Sequence, residues 1–270
     1  LSEQPSSLSY TSGAAAPGSI PPRRAVSLVP ALTESLFELN LGSRLVGVTE
    51  QCVYPLGAAA RLPRVGTPDE ADPERIAMLR PDSVLVDSAV NPPALIARLR
   101  EHGLPVWETT TDTARATLNR LWDMMYSFDE TGMVERVRAI EWTCDWLERL
   151  DETRAVPCRT WVVMGSTVPV SAPLDAYSRD LLRICGAAVV EPEADGPLGQ
   201  AVAAVQPDVI LWLDGPADAH QHPAITGLAC PAVANGAVHA VEASLLFWRG
   251  TRIGRAFAAL PALLCADAQP

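Results

Sequence analysis

Two copies of one short phrase, set far apart, constrain this chain more than any other feature. Arg80-Pro81-Asp82 leads into the apolar run Ser83-Val84-Leu85-Val86, and Gln206-Pro207-Asp208 leads into Val209-Ile210-Leu211-Trp212. A short helical stretch precedes each copy, Pro73 to Leu79 in the first case and Leu198 to Val205 in the second. Helices alternating with short apolar strands are the grammar of a mostly parallel sheet. The duplication therefore predicts two α/β lobes, and two facing lobes make a cleft of the kind in which ligands settle.

The rest of the chain extends that pattern. Ala25 to Val29 is β-rich, Pro30 ends the run, and Ala31 to Leu39 carries apolar residues at helical spacing. Leu45 to Val48 and Val106-Trp107 are further predicted strands. Asp72-Pro73-Glu74 is a helix start in which Asp72 caps, Pro73 is preorganised for the first turn and Glu74 complements the helix end. From Ala114 to about Arg154 the period is helical, with Leu118, Leu121, Trp122, Met125, Val137, Ile140, Cys144 and Leu147 on one side and a break expected at Asp129 and Gly132. The opposite face mixes charges of both signs and is expected to be solvated. A helix of about twenty residues spans about 30 Å, enough to brace two lobes. In the second half, strands are predicted over Thr160 to Met164, Val189-Val190, Val209 to Leu213 and within Ala232 to Val241. A helix from Asp175 to Cys185 lies among them, and a closing helix from Arg252 to Leu264 is expected to be interrupted at Pro261. The predicted organisation is a flexible leader over 1–22, an N-terminal lobe over 23–112, a linking helix over 113–156 and a C-terminal lobe over 157–270.

Composition narrows the chemistry. The 270 residues are 48% apolar and 20% charged, which is globular, and the formal net charge of -11 opposes nucleic acid and anionic membranes. All 21 basic residues are arginine, so lysine chemistry, including Schiff bases and the phosphate-loop lysine, is excluded. No apolar run is long enough to span a bilayer. The cysteines at 52, 144, 158, 185, 230 and 265 show no CxxC spacing, hence no zinc or redox signature, and Cys144 is expected in the core. His220 and His222 form an H-x-H without an evident third ligand, and are expected at the surface. Hydrolase, zinc-protease, dinucleotide and phosphate-loop motifs are absent, and no catalytic residue is assigned; Ser166 after a strand lacks the residues of a nucleophile elbow.

Taken in order, Arg24-Ala-Val-Ser-Leu-Val-Pro-Ala-Leu-Thr-Glu34, Leu45-Val-Gly-Val-Thr49, Tyr54-Pro55, Leu62-Pro-Arg-Val-Gly66, Asp72-Pro-Glu-Arg-Ile76, Arg80-Pro-Asp82 and Gly103-Leu-Pro-Val106 are similar to one family. The second half agrees through Asp175-Ala-Tyr-Ser-Arg-Asp-Leu-Leu182, Gln206-Pro-Asp208 and Leu245-Leu-Phe-Trp-Arg-Gly-Thr-Arg252. The chain resembles the class III, helical-backbone solute-binding proteins of ABC importers, of the cobalamin and ferric-siderophore type. The resemblance implies an extracytoplasmic, monomeric receptor that takes a metal chelate into its cleft, needs no intrinsic cofactor and delivers its cargo to a membrane permease.

It also implies which residues line that cleft: Pro30, Ala31, Leu32 and Thr33; Gln51 and Tyr54; Thr67, Pro68 and Asp69; Ser88 and Asn91; Ser166 and Thr167; and Phe247, Trp248, Arg249 and Arg252. Phe247 and Trp248 offer flat apolar area, and the two arginines offer paired donors for carboxylate or catecholate oxygens. The alternative is that Trp248 is a core residue and both arginines lie on the surface. Relatives dock on the permease through a glutamate in each lobe; here Glu74 is present, whereas the matching place holds Gln200, with Glu191, Glu193 and Asp195 nearby. Gln51, Pro68, Ser244 and Trp248 depart from the cobalamin subgroup's pattern, so corrinoid, ferric siderophore, haem and other chelates all stay open. The rival functions are an enzyme on the same scaffold and an orphan receptor without a permease.

Overall fold

The computed structural model describes residues 20–165, 168–193 and 197–264. The chain divides into two compact units, Leu1–Thr110 with Asn119–Val134, and Thr111–Leu118 with Glu135–Pro270.

The first unit is a four-stranded parallel sheet in the order β2-β1-β3-β4, built from β1 (Ala25–Ser27), β2 (Leu45–Val48), β3 (Ser83–Asp87) and β4 (Val106–Thr109). The crossovers are helical: α1 (Pro30–Glu38) between β1 and β2, α2 (Pro73–Met78) before β3, and α3 (Pro93–Glu101) between β3 and β4. Each begins on proline, whose fixed φ and missing N–H suit a first helical turn. Asp72 caps α2 by accepting from the backbone N–H groups of Glu74 (2.9 Å) and Arg75 (3.4 Å), as its sequence position predicts. Val26, Val84 and Val86 pack with Ile76, Ile96 and Leu99 in one buried cluster, so the sheet and its helices share a core. Two helices follow β4, α4 (Ala114–Ser127) and α5 (Val134–Thr153). The expected break between them is present, with Asp129 in the left-handed region at φ 53. Val137, Cys144 and Leu147 of α5 are buried, whereas Trp142 and Trp146 stand exposed among the charges of its solvated face.

The second unit holds β5 (Cys158–Met164), β6 (Val170–Ser171), β7 (Ala187–Val189), β8 (Val209–Leu213) and β9 (Val238–Val241). β5 pairs in parallel with β7 and β8, β8 pairs in parallel with β9, and the two-residue β6 runs antiparallel to β5. Helices α6 (Ala176–Ile184) and α7 (Leu198–Val205) are followed by the single turns α8 (Pro223–Thr226), α9 (Pro231–Ala234) and α10 (Ser244–Phe247). The closing helix α11 (Ile253–Leu264) runs through Pro261 without the predicted interruption. Its buried face of Ile253, Ala256, Phe257, Leu260 and Leu264 is continuous on both sides of the proline, and that packing holds the helix together.

The duplicated phrase has the same structural purpose in both units. Asp82 accepts the backbone N–H groups of Arg23 (2.8 Å) and Arg24 (2.9 Å), and its own N–H donates to Arg24 O at 2.9 Å. Asp208 accepts the N–H of Arg159 (2.9 Å) and donates its own N–H to Arg159 O (2.7 Å). In each case the arginine side chain reaches back to the end of the preceding helix: Arg24 to the carbonyls of Leu79 and Arg80, Arg159 to that of Val205. The residue two places before each aspartate sits in the left-handed region, Arg80 at φ 47 and Gln206 at φ 42. The phrase is thus a clamp that sets β3 on β1 and β8 on β5 at the amino edge of each sheet. Asp82→Ala and Asp208→Ala each remove charge-assisted acceptors and are expected to lower stability by about 1–2 kcal/mol, read as a shift in the urea midpoint at unchanged slope.

Candidate functional site

In open α/β sheets the carboxyl ends of the strands carry the binding loops. In the first unit those loops are stitched into a fixed rim. Asp87, the last residue of β3, accepts the Ala89 N–H at 2.9 Å and forms a buried ion pair with Arg120 of α4 at 2.5 Å. Asn91 accepts the Asp87 N–H (2.9 Å) and donates to the carbonyls of Leu28 (3.3 Å) and Pro68 (2.8 Å). One amide side chain thereby joins the ends of β1 and β3 to the 66–71 loop. That loop turns at Gly66, φ 107, where a Cβ would meet Glu70 O at 2.7 Å. Ser88 bonds to Thr110 Oγ1 (2.6 Å) and to Thr109 O (3.3 Å), adding the end of β4.

A second polar seam lies at the ends of β1 and β2. The Thr33 hydroxyl lies within hydrogen-bond reach of Ser27 Oγ (2.9 Å), Cys52 Sγ (3.0 Å) and Val29 O (3.2 Å), and Thr49 Oγ1 lies 3.1 Å from the same sulfur. Burial pushes the Cys52 thiol above its ordinary pKa, so it stays protonated and acts as a small core group. Arg64 holds the following loop by donating to the carbonyls of Thr49 (2.7 Å), Cys52 (3.0 Å) and Ala59 (3.2 Å).

The expected ligand residues of this unit fall into two groups. Ala31, Leu32, Thr33, Pro68 and Asn91 are buried, and Thr33 and Asn91 hydrogen-bond inside the unit. Gln51, Tyr54 and Asp69 are exposed on the rim, with Pro30 and Ser88 half-buried beside them. Tyr54 precedes a cis proline, Pro55.

In the second unit the segment after β9 is tied to the start of α6. Asp175 caps α6, accepting from the Ser178 N–H and hydroxyl at 2.9 Å each, and pairs through its other oxygen with Arg249. Ser178 Oγ also lies 3.0 Å from Leu246 O, and Arg249 lies over the Tyr177 ring at 5.2 Å. Arg252 donates to Ser244 Oγ (2.6 Å), lies 3.4 Å from Glu242 and stacks on Trp248 at 4.4 Å. Both guanidinium groups are therefore buried and paired, which is neither a pair of unengaged anion donors nor a pair of surface groups. Phe247 and Trp248 are half-buried. Ser166 and Thr167 lie outside the described residues, as does Asp195. Gly165 before them is at φ 107, where a Cβ would meet Val168 O at 2.6 Å, and its carbonyl accepts Trp212 Nε1–H at 2.7 Å.

Along β9, from Gly236 before it to Glu242 after it, an open pocket of about 710 Å³ is lined by Asp214, His220, His239 and Glu242, with Leu263 of α11. Burial pulls the His239 imidazole below its ordinary pKa, so it is neutral near pH 7. The H-x-H pair separates in the fold: His220 faces this pocket, while His222 caps α8 and sets its ring edge-on to Trp212 at 4.9 Å. No group of three or more His, Cys, Asp or Glu among the described residues is placed to hold a metal ion. Glu74 is exposed in the first turn of α2, and Gln200 is exposed in the first turn of α7. Glu191 pairs with Arg179 and Glu193 is exposed.

Sequence reasoning missed Asp87 and Arg120, which lie 33 residues apart, and Arg64, whose partners are backbone carbonyls 5 to 15 residues before it. Asp175 had a visible signal, a capping residue three places before Ser178. Arg120→Met leaves the Asp87 carboxylate buried without its ion-pair partner and is expected to cost about 3–5 kcal/mol, measured by denaturant unfolding.

Residues 26–131 match the family model described as periplasmic binding protein. A vitamin B12-binding protein of Vibrio cholerae is 26% identical over 200 residues, 71% of this chain and 70% of the relative. The crystal structure of the periplasmic vitamin B12 binding protein BtuF of Vibrio cholerae superimposes with a TM-score of 0.72 at 23% identity, covering 92% of this chain and 99% of that one. A periplasmic heme-binding protein, RhuT from Roseiflexus sp. RS-1, gives 0.68 at 23% identity, with 92% and 99% covered. These matches bear out the resemblance drawn from the motifs.

Proposed function

We propose, from the premise that this chain is a relative of the periplasmic binding proteins on a shared fold, that it is an extracytoplasmic solute-binding protein which captures a metal chelate and passes it to an ABC permease. The observation that carries the reading is the pair of prebuilt carboxyl rims described above, one in each unit, on a fold whose similar proteins are named for binding vitamin B12 and heme. Rims held by internal hydrogen bonds meet a bulky rigid guest without a large ordering cost. Within them, Gln51, Tyr54, Asp69 and Ser88 of the first unit and Phe247 and Trp248 of the second are the side chains we assign to ligand contact. Thr33, Asn91, Arg249 and Arg252 act one step back, as positioning residues. The role is binding, with no covalent step assigned to any residue, and the receptor acts as a monomer.

The ligand class is tested by thermal unfolding in the presence of corrinoids, haem and ferric siderophores. A true ligand at a hundred times its dissociation constant adds about 2.7 kcal/mol of stability and a matching rise in melting temperature. A panel without any rise rejects the chelate reading.

Delivery is tested separately. Glu74 is an exposed carboxylate at a helix start, which we assign to a cationic surface of the permease, whereas Gln200 carries no charge. With the cognate permease in lipid nanodiscs, Glu74→Ala is expected to weaken docking about tenfold and to reduce its salt dependence. Gln200 favours a second reading, a receptor that senses its ligand without a permease; absence of docking by the unaltered chain supports that one.

A further inference from the structure

We infer that the exposed face of α5 is an interface through which two copies of this chain pair reversibly. The inference goes beyond the reading above: a single receptor meets its solute and permease, and the pairing face carries none of the residues assigned to either.

α5 sorts its charges by side. Glu141, Asp145 and Glu148 gather on Arg115 of α4 at 3.9, 2.6 and 2.5 Å, and Asp151 pairs with Arg183. The outer side is left with the stripe Glu135, Arg138, Trp142, Trp146 and Arg149, at the three- and four-residue steps of one helical face. All five are exposed, and Trp142 and Trp146 keep 64% and 61% of their surface open. The other five tryptophans of the chain are buried or half-buried, so two large rings are left uncovered on one helix.

The order of the stripe selects a second copy as the cover. Glu135 and Arg149 lie seven residues either side of Trp142, and Arg138 and Trp146 lie four either side of it. Two such helices laid antiparallel about a twofold axis at Trp142 bring Glu135 to the partner's Arg149 and Arg138 to the partner's Trp146. Symmetry makes each contact twice, and the two Trp142 rings meet on the axis. The stripe is therefore its own complement, acid to base and cation to ring. A parallel pairing would set like charge on like charge. Arg149 enters no ion pair among the described residues, and Glu135 meets Arg138 at 3.5 Å across solvent, so neither strands a buried partner by pairing outward. Ala139 and Thr143, exposed beside Trp142, are small enough to let the facing helix approach. One helix face covers less area than the 1,200–2,000 Å² typical of stable complexes, so the pair is weak, with an expected dissociation constant of about 100 µM.

Sedimentation velocity of the full chain tests this at about 0.15 M salt, where a Debye length of about 8 Å screens the repulsion between two acidic molecules but spares charges in contact. Monomer is expected to give way to dimer between about 5 µM and 1 mM. Trp142→Ala is expected to weaken pairing about tenfold. Glu135→Arg and Arg149→Glu each set like charges together and are expected to weaken it about fivefold, whereas the double variant, which exchanges the pair, recovers to within about twofold of the unaltered chain. Far-UV circular dichroism and the urea midpoint report that each variant is folded. A chain that stays monomeric throughout, or a double variant no tighter than its single variants, overturns the inference. Adsorption to phosphatidylcholine vesicles without pairing also overturns it and gives the stripe to a membrane surface. None of these substitutions touches a residue assigned to the solute, so the thermal panel with corrinoids, haem and ferric siderophores stands or falls independently of the pairing result.

Discussion

Each sheet in this protein is registered by one carboxylate at its amino edge. Asp82 and Asp208 sit one residue ahead of a central strand, bridge to the backbone of the strand beside it, and meet an arginine that anchors the preceding helix. A one-residue slip in a strand would turn its side chains to the wrong face. In β3 and β8 all five residues are buried, so pattern alone does not distinguish one register from its neighbour. The clamp supplies that distinction, and the left-handed Arg80 and Gln206 bring the chain into it at the required angle.

With register set at one edge, the opposite edge can hold loops in defined places. In the first unit the Asp87–Arg120 pair and the Asn91 side chain connect three strand ends to one another and to α4. Buried ion pairs contribute little net stability compared with apolar packing, but a broken one is costly, so this pair favours a single arrangement of the rim. In the second unit Asp175 does comparable work, because one carboxylate caps α6 and holds Arg249. The rims are rigid for local reasons that are different in the two units.

The same commitments decide which charged side chains of the rims are engaged and which are exposed. Arg64, Arg120, Arg249 and Arg252 are spent on the protein's own loops, while Glu50, Asp69 and Asp214 are exposed. Tyr54 and Gln51 are exposed in the first unit, and Phe247 and Trp248 are half-buried in the second.

Much of the architecture was legible in the residues. Periodicity, proline at helix starts, Asp72 as a cap and the break at Asp129 are local signals, and local backbone chemistry acts on them directly. The duplicated phrase was visible too, although it marks the edge remote from the binding loops. Pro261 was misleading, since continuous burial on both sides of it outweighs one lost hydrogen bond. The site was less legible. Arg249 and Arg252 looked available because their partners Asp175 and Glu242 lie 74 and 10 residues away, and nothing in the spacing announces either contact. The sequence by itself determined the class of fold, the order of elements and the net charge, because those follow from side-chain chemistry and near neighbours. Only the tertiary structure decided which charges are neutralised and which face outward, because a buried pair forms wherever folding brings opposite charges together out of water, and that depends on distant parts of the chain.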